Sequence, residues 1–155
     1  QTDEGLPDND VSGVAQTPDG YLWVGTYGGL ERFDGTRFEE FPPANLPGVP
    51  NRVVRALVLD RRHRLWLGMD RGALVCAEPD AARVFTAQPG LPDARITQLV
   101  EDGEESIWVA YNNGGVTRLQ DGRATYYLAC SLLAGERRAR AVVVRQRHQC
   151  WRVPR

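Results

Sequence analysis

The sequence predicts an all-β chain, a β-propeller arc of about 3.5 four-stranded antiparallel blades and a fragment of a larger propeller. Three observations predict it: tryptophans at a period of about 43 residues, a Gly-x-Pro motif in the same phase, and short apolar runs separated by hairpin-turn residues.

Trp23, Trp66 and Trp108 lie 43 and 42 residues apart, in the segments Leu22-Trp23-Val24-Gly25, Leu65-Trp66-Leu67-Gly68 and Ile107-Trp108-Val109-Ala110. Gly5-Leu6-Pro7, Gly48-Val49-Pro50 and Gly90-Leu91-Pro92 each begin 18 residues before the tryptophan of their repeat. Between the two markers fall apolar pairs three residues apart, namely Val11 and Val14, Val54 and Leu57, Ile96 and Leu99.

Each repeat reads as four strands. In the first, Val11 to Gln16 is followed by the turn Pro18-Asp19-Gly20, then Tyr21 to Thr26, Gly28-Gly29, Leu30 to Phe33, Asp34-Gly35 and Arg37 to Phe41. Asp-Gly and Gly-Gly between apolar runs are hairpin turns, because glycine supplies the positive φ they need without steric cost. A lone blade cannot bury both faces, so Trp23, Trp66 and Trp108 are expected as structural core between successive blades. The plan divides the chain into blade 1 at 1–45 (with the end of a preceding blade at 1–5), blade 2 at 46–89, blade 3 at 90–129 and a degenerate or truncated blade 4 at 130–155.

The last segment keeps the phase, with Trp151 43 residues after Trp108 and Val142 43 after Leu99, but lacks the Gly-x-Pro motif and is rich in arginine. A divergent repeat and a shifted reading frame near Gly135 would both give this composition. Such an arc leaves an apolar face at each end, so further blades of the same protein or a second copy are the expected partners.

Composition narrows the remaining classes. A formal charge of -1 offers no basic field for a phosphate backbone, which argues against nucleic acid. No stretch approaches 18 consecutive apolar residues, so direct membrane insertion is not expected. All 19 basic residues are arginine, a feature of a GC-rich genome. Cys76, Cys130 and Cys150 lack disulfide-framework or C-x-x-C spacing and read as small buried residues.

The first repeat, Gly5-Leu6-Pro7 through Asp19-Gly20-Tyr21-Leu22-Trp23-Val24-Gly25-Thr26 to Gly29-Leu30-Glu31-Arg32-Phe33-Asp34-Gly35, resembles the two-component regulator propeller repeat. The resemblance extends to about Ala129 and weakens along the chain, with His63 where the first repeat has Gly20 and Met69 for Thr26. In that family the repeats build extracytoplasmic sensor regions of hybrid histidine kinases and related regulators, often those responding to polysaccharide fragments. The resemblance therefore implies a periplasmic or extracytoplasmic ligand sensor for signal transduction, not an enzyme.

The residues themselves offer no catalytic constellation and no cofactor or metal motif. His63 and His148 occupy turn positions, and no H-E-x-x-H, G-x-S-x-G or P-loop pattern occurs. Asp60 and Asp102 fall in phase at the end of the first strand, with Thr17 in their place in repeat one, and are expected to hold the adjacent turn.

A ligand is expected where B-to-C loops and D-to-A connections emerge together, counting strands A to D outward from the propeller axis. The loops carry Tyr27, Asp70 with Arg71, and Asn112 with Asn113; the connections carry Asp8 with Asn9, Asn51 with Arg52, and Asp93 with Arg95. These are groups suited to a small-molecule or oligosaccharide ligand. The alternatives are a glycan-active propeller enzyme such as a lyase, whose loops would carry the same acids and arginines, and a protein-interaction scaffold.

Overall fold

Hairpins succeed one another because each apolar run is too short for anything but a strand and ends in a residue that turns the chain. The computed structural model describes residues 8–41, 51–78, 81–85, 90–130, 140–145 and 149–152, with 78, 81, 82, 128–130 and the last two ranges as backbone. The motifs Gly5-Leu6-Pro7 and Gly48-Val49-Pro50, the turn at His148, and the side chains of Cys130, Cys150 and Trp151 lie outside the described residues. No helix occurs among the described residues.

The first sheet contains β1 (Val11–Gln16), β2 (Leu22–Thr26), β3 (Gly29–Phe33) and β4 (Phe38–Phe41), paired antiparallel in chain order. The second contains β5 (Val54–Leu59), β6 (Leu65–Met69), β7 (Leu74–Glu78) and β8 (Ala81–Phe85), in the same order. The third contains β9 (Ile96–Glu101), β10 (Ile107–Tyr111), β11 (Val116–Gln120) and β12 (Arg123–Cys130). It continues outward through β13 (Arg140–Arg145) and β14 (Gln149–Arg152) to six strands. Val142 and Trp151 thus sit on a hairpin, as the phase predicts, but the hairpin extends the third sheet and starts no sheet of its own. The edge of β12 offers unpaired backbone groups, and β13 satisfies them by pairing Val142 with Leu128.

The sheets stack through their inner strands, β1 against β5 and β5 against β9, as blades do around a propeller axis. Two apolar clusters fill the gaps. Leu30, Val54, Leu67, Met69 and Val75 lie between the first and second sheets, with Trp23 and Phe41 packed beside them. Trp66, Ile96, Ile107, Val109, Tyr111 and Leu119 lie between the second and third, with Phe85 stacked on Trp66.

The tryptophans differ in burial. Trp66 is 4% exposed, whereas Trp23 and Trp108 are half-buried. Trp108 sits on the side of the third sheet away from the second, where Tyr127 and Arg118 cover its ring and no further described sheet packs behind it.

Each of these three indole N–H groups donates to the residue six positions earlier. Trp66 Nε1 donates to Asp60 Oδ2 at 2.8 Å, Trp108 Nε1 to Asp102 Oδ2 at 2.7 Å and Trp23 Nε1 to Thr17 Oγ1 at 3.1 Å. The same carboxylates accept turn amides, Arg62 and Arg64 on Asp60 and Glu104 and Ser106 on Asp102. The turns repeat in φ as well, with Gly20 at 92° and both His63 and Glu105 at 60°. A side chain tolerates that left-handed conformation because the carboxylate holds the turn around it.

Of the Gly-x-Pro motifs, the third is described. Leu91 is fully buried, and Thr117 Oγ1 donates to the Gly90 carbonyl at 2.6 Å. A Cβ at Gly90 would collide with the backbone of Ala124, so the motif brings the connection against the outer strands of its own blade.

Replacing Trp66 by alanine is expected to cost about 3–5 kcal/mol, as for a large aromatic lost from a close-packed core. Trp108→Ala should cost less, because its ring already meets solvent. Urea unfolding of both variants at a common slope checks this, and equal midpoints would contradict the burial difference.

Candidate functional site

The residues predicted to share one face do so because each B-to-C loop is tied to the connection that enters its own blade. Tyr27 N–H donates to the Asp10 carbonyl at 3.3 Å, Asp70 N–H to Val53 at 3.2 Å and Asn112 N–H to Arg95 at 2.9 Å, the same bond in each blade. The connections are themselves shaped by short polar side chains: Asp8 Oδ1 accepts from Asp10 N–H and Asn51 Oδ1 from Val53 N–H.

A β-bulge lies at the same end of every inner strand. The pairing skips one residue between Val11 and Gly13, between Val54 and Ala56, and between Ile96 and Gln98. The bulged residues are Ser12, Arg55 and Thr97, and a bulge re-aims the side chain it carries. In the second blade this brings Arg55 to the face.

Arg55 and Asp70 together link all three blades at this face. The Arg55 guanidinium lies 4.2 Å over the ring of Tyr27 from the first blade. Its Nε donates to Asp70 Oδ1 at 2.7 Å, and Arg95 Nε of the third blade donates to the same oxygen at 2.9 Å. Tyr27, Arg55, Asp70 and Arg95 thus form a continuous row across three blades. Gly72, at φ 77°, allows the close approach of the second blade's loop to the third blade's connection, since a Cβ there would meet the Pro92 carbonyl oxygen at 2.5 Å.

The middle of the row is partly covered and its ends are open. The side chains of Arg55 and Asp70 are 20% and 21% exposed, Tyr27 is 40% exposed and the Arg95 side chain 49%. Burial alone would raise the Asp70 carboxyl, but hydrogen bonds and charge from Arg55 and Arg95 outweigh it and hold the group below the ordinary carboxylate range. It is a fixed anion at neutral pH. Asp70 Oδ2 receives no hydrogen bond from the described residues, so one carboxylate oxygen remains an acceptor beside two guanidinium forks and an exposed aromatic ring.

The other predicted residues are placed around this row. Arg71 is exposed and makes no ion pair among the described residues. Arg52 pairs with Glu40 at 2.5 Å, on the outer strand of the first blade. Asn113 accepts from Gly115 N–H and donates to the Tyr126 hydroxyl, which shapes its own turn. Asn9 and Asn112 are exposed. Sequence reasoning missed Arg55 because it lies inside a strand. The available signal was the polar residue that follows the first apolar position of every repeat, Ser12, Arg55 and Thr97.

The opposite face is built differently. His63 lies exposed in an A-to-B turn there, and a cleft of about 640 Å³ opens between the second and third sheets over Phe85, Ile107 and Leu119. Its rim is largely ion-paired, Arg62 with Glu105 at 2.5 Å and Arg118 with Glu104. Among the described residues no group of three or more His, Cys, Asp or Glu side chains could hold a metal ion.

Residues 5–28 match the family described as Two component regulator propeller. No curated protein sequence matches the chain. Among solved structures, the chain shares its fold with the extracellular domain of the hybrid two component system BT4673 from B. thetaiotaomicron, at TM-score 0.70, 22% identity, and coverage of 91% of this chain and 19% of that one. It also shares it with virginiamycin B lyase from Staphylococcus aureus, at TM-score 0.65, 15% identity, and coverage of 90% and 50%. A structure of streptogramin B lyase superposes at TM-score 0.64 with 18% identity, over 79% of this chain and 42% of that one. The chain therefore spans half or less of the length of each of these proteins.

Asp60, Asp70 and Asp102 are all held below the ordinary carboxylate range, by indole, amide and guanidinium donors that outweigh burial. A lowered folded-state pKa contributes stability above the unfolded value of about 3.9 and loses it as pH falls through the folded value. Thermal stability is therefore expected to fall steeply below about pH 4. Asp70→Asn should flatten that acid limb, whereas a limb of unchanged slope would show that Asp70 contributes nothing to it.

Proposed function

We propose that this chain is a ligand-binding segment of the sensor propeller of an extracytoplasmic two-component system, and that its ligand seats along Tyr27, Arg55, Asp70 and Arg95. The observation that supports the reading is the row itself. It gathers an exposed aromatic ring, two guanidinium forks and an ionised acceptor from three blades onto the face where loops and connections meet. An aromatic ring offers a platform to the apolar face of a sugar, and guanidinium and carboxylate groups bond its hydroxyls. An oligosaccharide is the ligand class this chemistry suits, with Arg71 and Asn112 within the same face.

The lyase reading rests on the acids and arginines of the loops and on fold similarity. Asp70, held ionised by two arginines, is a weak base, since general bases work best with a pKa near the operating pH.

The test is a glycan array followed by calorimetric titration of the best binder. Tyr27→Ala and Arg95→Ala, both at exposed side chains, are expected to weaken binding at least about tenfold, roughly 1.4 kcal/mol each, with the sheets intact by circular dichroism. Binding with no product release supports a sensor. Release of an unsaturated sugar would establish a lyase instead, and binding unaffected by both substitutions would place the ligand elsewhere.

A further inference from the structure

The contacts between sheets obey a directional rule. Toward the preceding blade, each inner strand projects two apolar residues: Val11 and Val14 in the first, Val54 and Leu57 in the second, Ile96 and Leu99 in the third. Toward the next blade, each sheet presents a cross-strand pair: Gly13 with Gly25, Ala56 with Gly68, and Gln98 with Ala110.

In the first two sheets that pair is small, and the projecting residues fill the space it leaves. A Cβ at Gly25 would lie 2.8 Å from Val54 Cγ1, and one at Gly13 would lie 3.0 Å from Leu57 Cβ. A Cβ at Gly68 would collide with Ile96 Cγ2. Val54 and Ile96 are accordingly 0% exposed, whereas Val11 and Val14, with no described sheet in front of them, are 50% and 55% exposed.

From this rule we propose that the Val11 and Val14 face docks a further propeller blade bearing small residues at the positions of Gly13 and Gly25, and that a second copy of this chain is not that blade. Continuity with the two interfaces already built carries the first half. The third sheet carries the second, because it offers Gln98 where the fitting surfaces have Gly13 and Ala56, and Ala110 where they have Gly25 and Gly68. The Ala110 Cβ would meet Val11 as a Cβ at Gly25 would meet Val54. The arc is thus closed to head-to-tail self-assembly while its first face remains open to a blade of another sequence.

Blade docking is independent of the ligand row and is tested without a ligand. Light scattering across a concentration series compares the wild-type chain, Gln98→Ala/Ala110→Gly, and that double variant with Val11→Asp/Val14→Asp added. The double variant should convert the third sheet into a fitting surface and at least double the average mass at high concentration. The added aspartates, at exposed positions, should return it to the wild-type value. The readout is the difference between the double and quadruple variants, so association through any other edge cancels. No difference overturns the proposal, as does a wild-type assembly that Val11→Asp/Val14→Asp alone dissolves. Circular dichroism on each variant confirms that the sheets are intact.

Discussion

The bond from the indoles of Trp23, Trp66 and Trp108 to the acceptor six residues earlier is the constraint on which the arc depends. It closes the A-to-B hairpin of every blade, and it also satisfies the one polar atom of a ring that must otherwise go into an apolar gap. Asp60 shows the most developed form. Its side chain is 1% exposed and accepts from the Trp66 indole, the Arg64 guanidinium and two turn amides. A buried carboxylate is tolerated only when so fully bonded. Where the first blade has Thr17, the bond is longer and the ring is less buried.

With the hairpins closed, the inner strands are rigid enough to carry irregularities at their far ends. The bulge at Ser12, Arg55 and Thr97 recurs in all three blades, but only the second puts a long cation there. Arg55 consequently couples the loop of the first blade to that of the second, and Asp70 couples the second to the third. The row is a property of the stacked blades, since each member comes from a different loop, strand or connection. The same stacking depends on Gly25 and Gly68, whose missing side chains let adjacent sheets close to contact distance.

Arginine recurs as the cover over the tryptophans. Arg32 and Arg118 pair across the sheet with Trp23 and Trp108, and their guanidinium groups lie 6.0 and 5.7 Å from the ring centroids. In the second blade Cys76 takes the cross-strand position, buried, and Arg64 reaches the Trp66 ring at 5.4 Å from the turn instead. A small residue opposite Trp66 gives its ring room to enter the core, and the ring of Phe85 stacks on it.

Much of the fold was determined by the sequence itself. Strand periodicity and turn chemistry are local, so β1 to β4 fall within a residue of the runs read from Val11 to Phe41. The 43-residue phase further identified the shared face and the turn acceptors Asp60 and Asp102. What the tertiary structure decided is where neighbouring blades meet. Trp108 holds the same place in its repeat as Trp66 and makes the same bond to an aspartate six residues earlier, yet remains half-buried, because burial depends on the sheet behind it. Arg55 reads as an ordinary strand residue until a bulge and two neighbouring loops give it Tyr27 and Asp70. The hairpin of β13 and β14 keeps the phase of a new blade but joins the third sheet, because the nearest unsatisfied backbone edge, not the period, decides where a strand pairs.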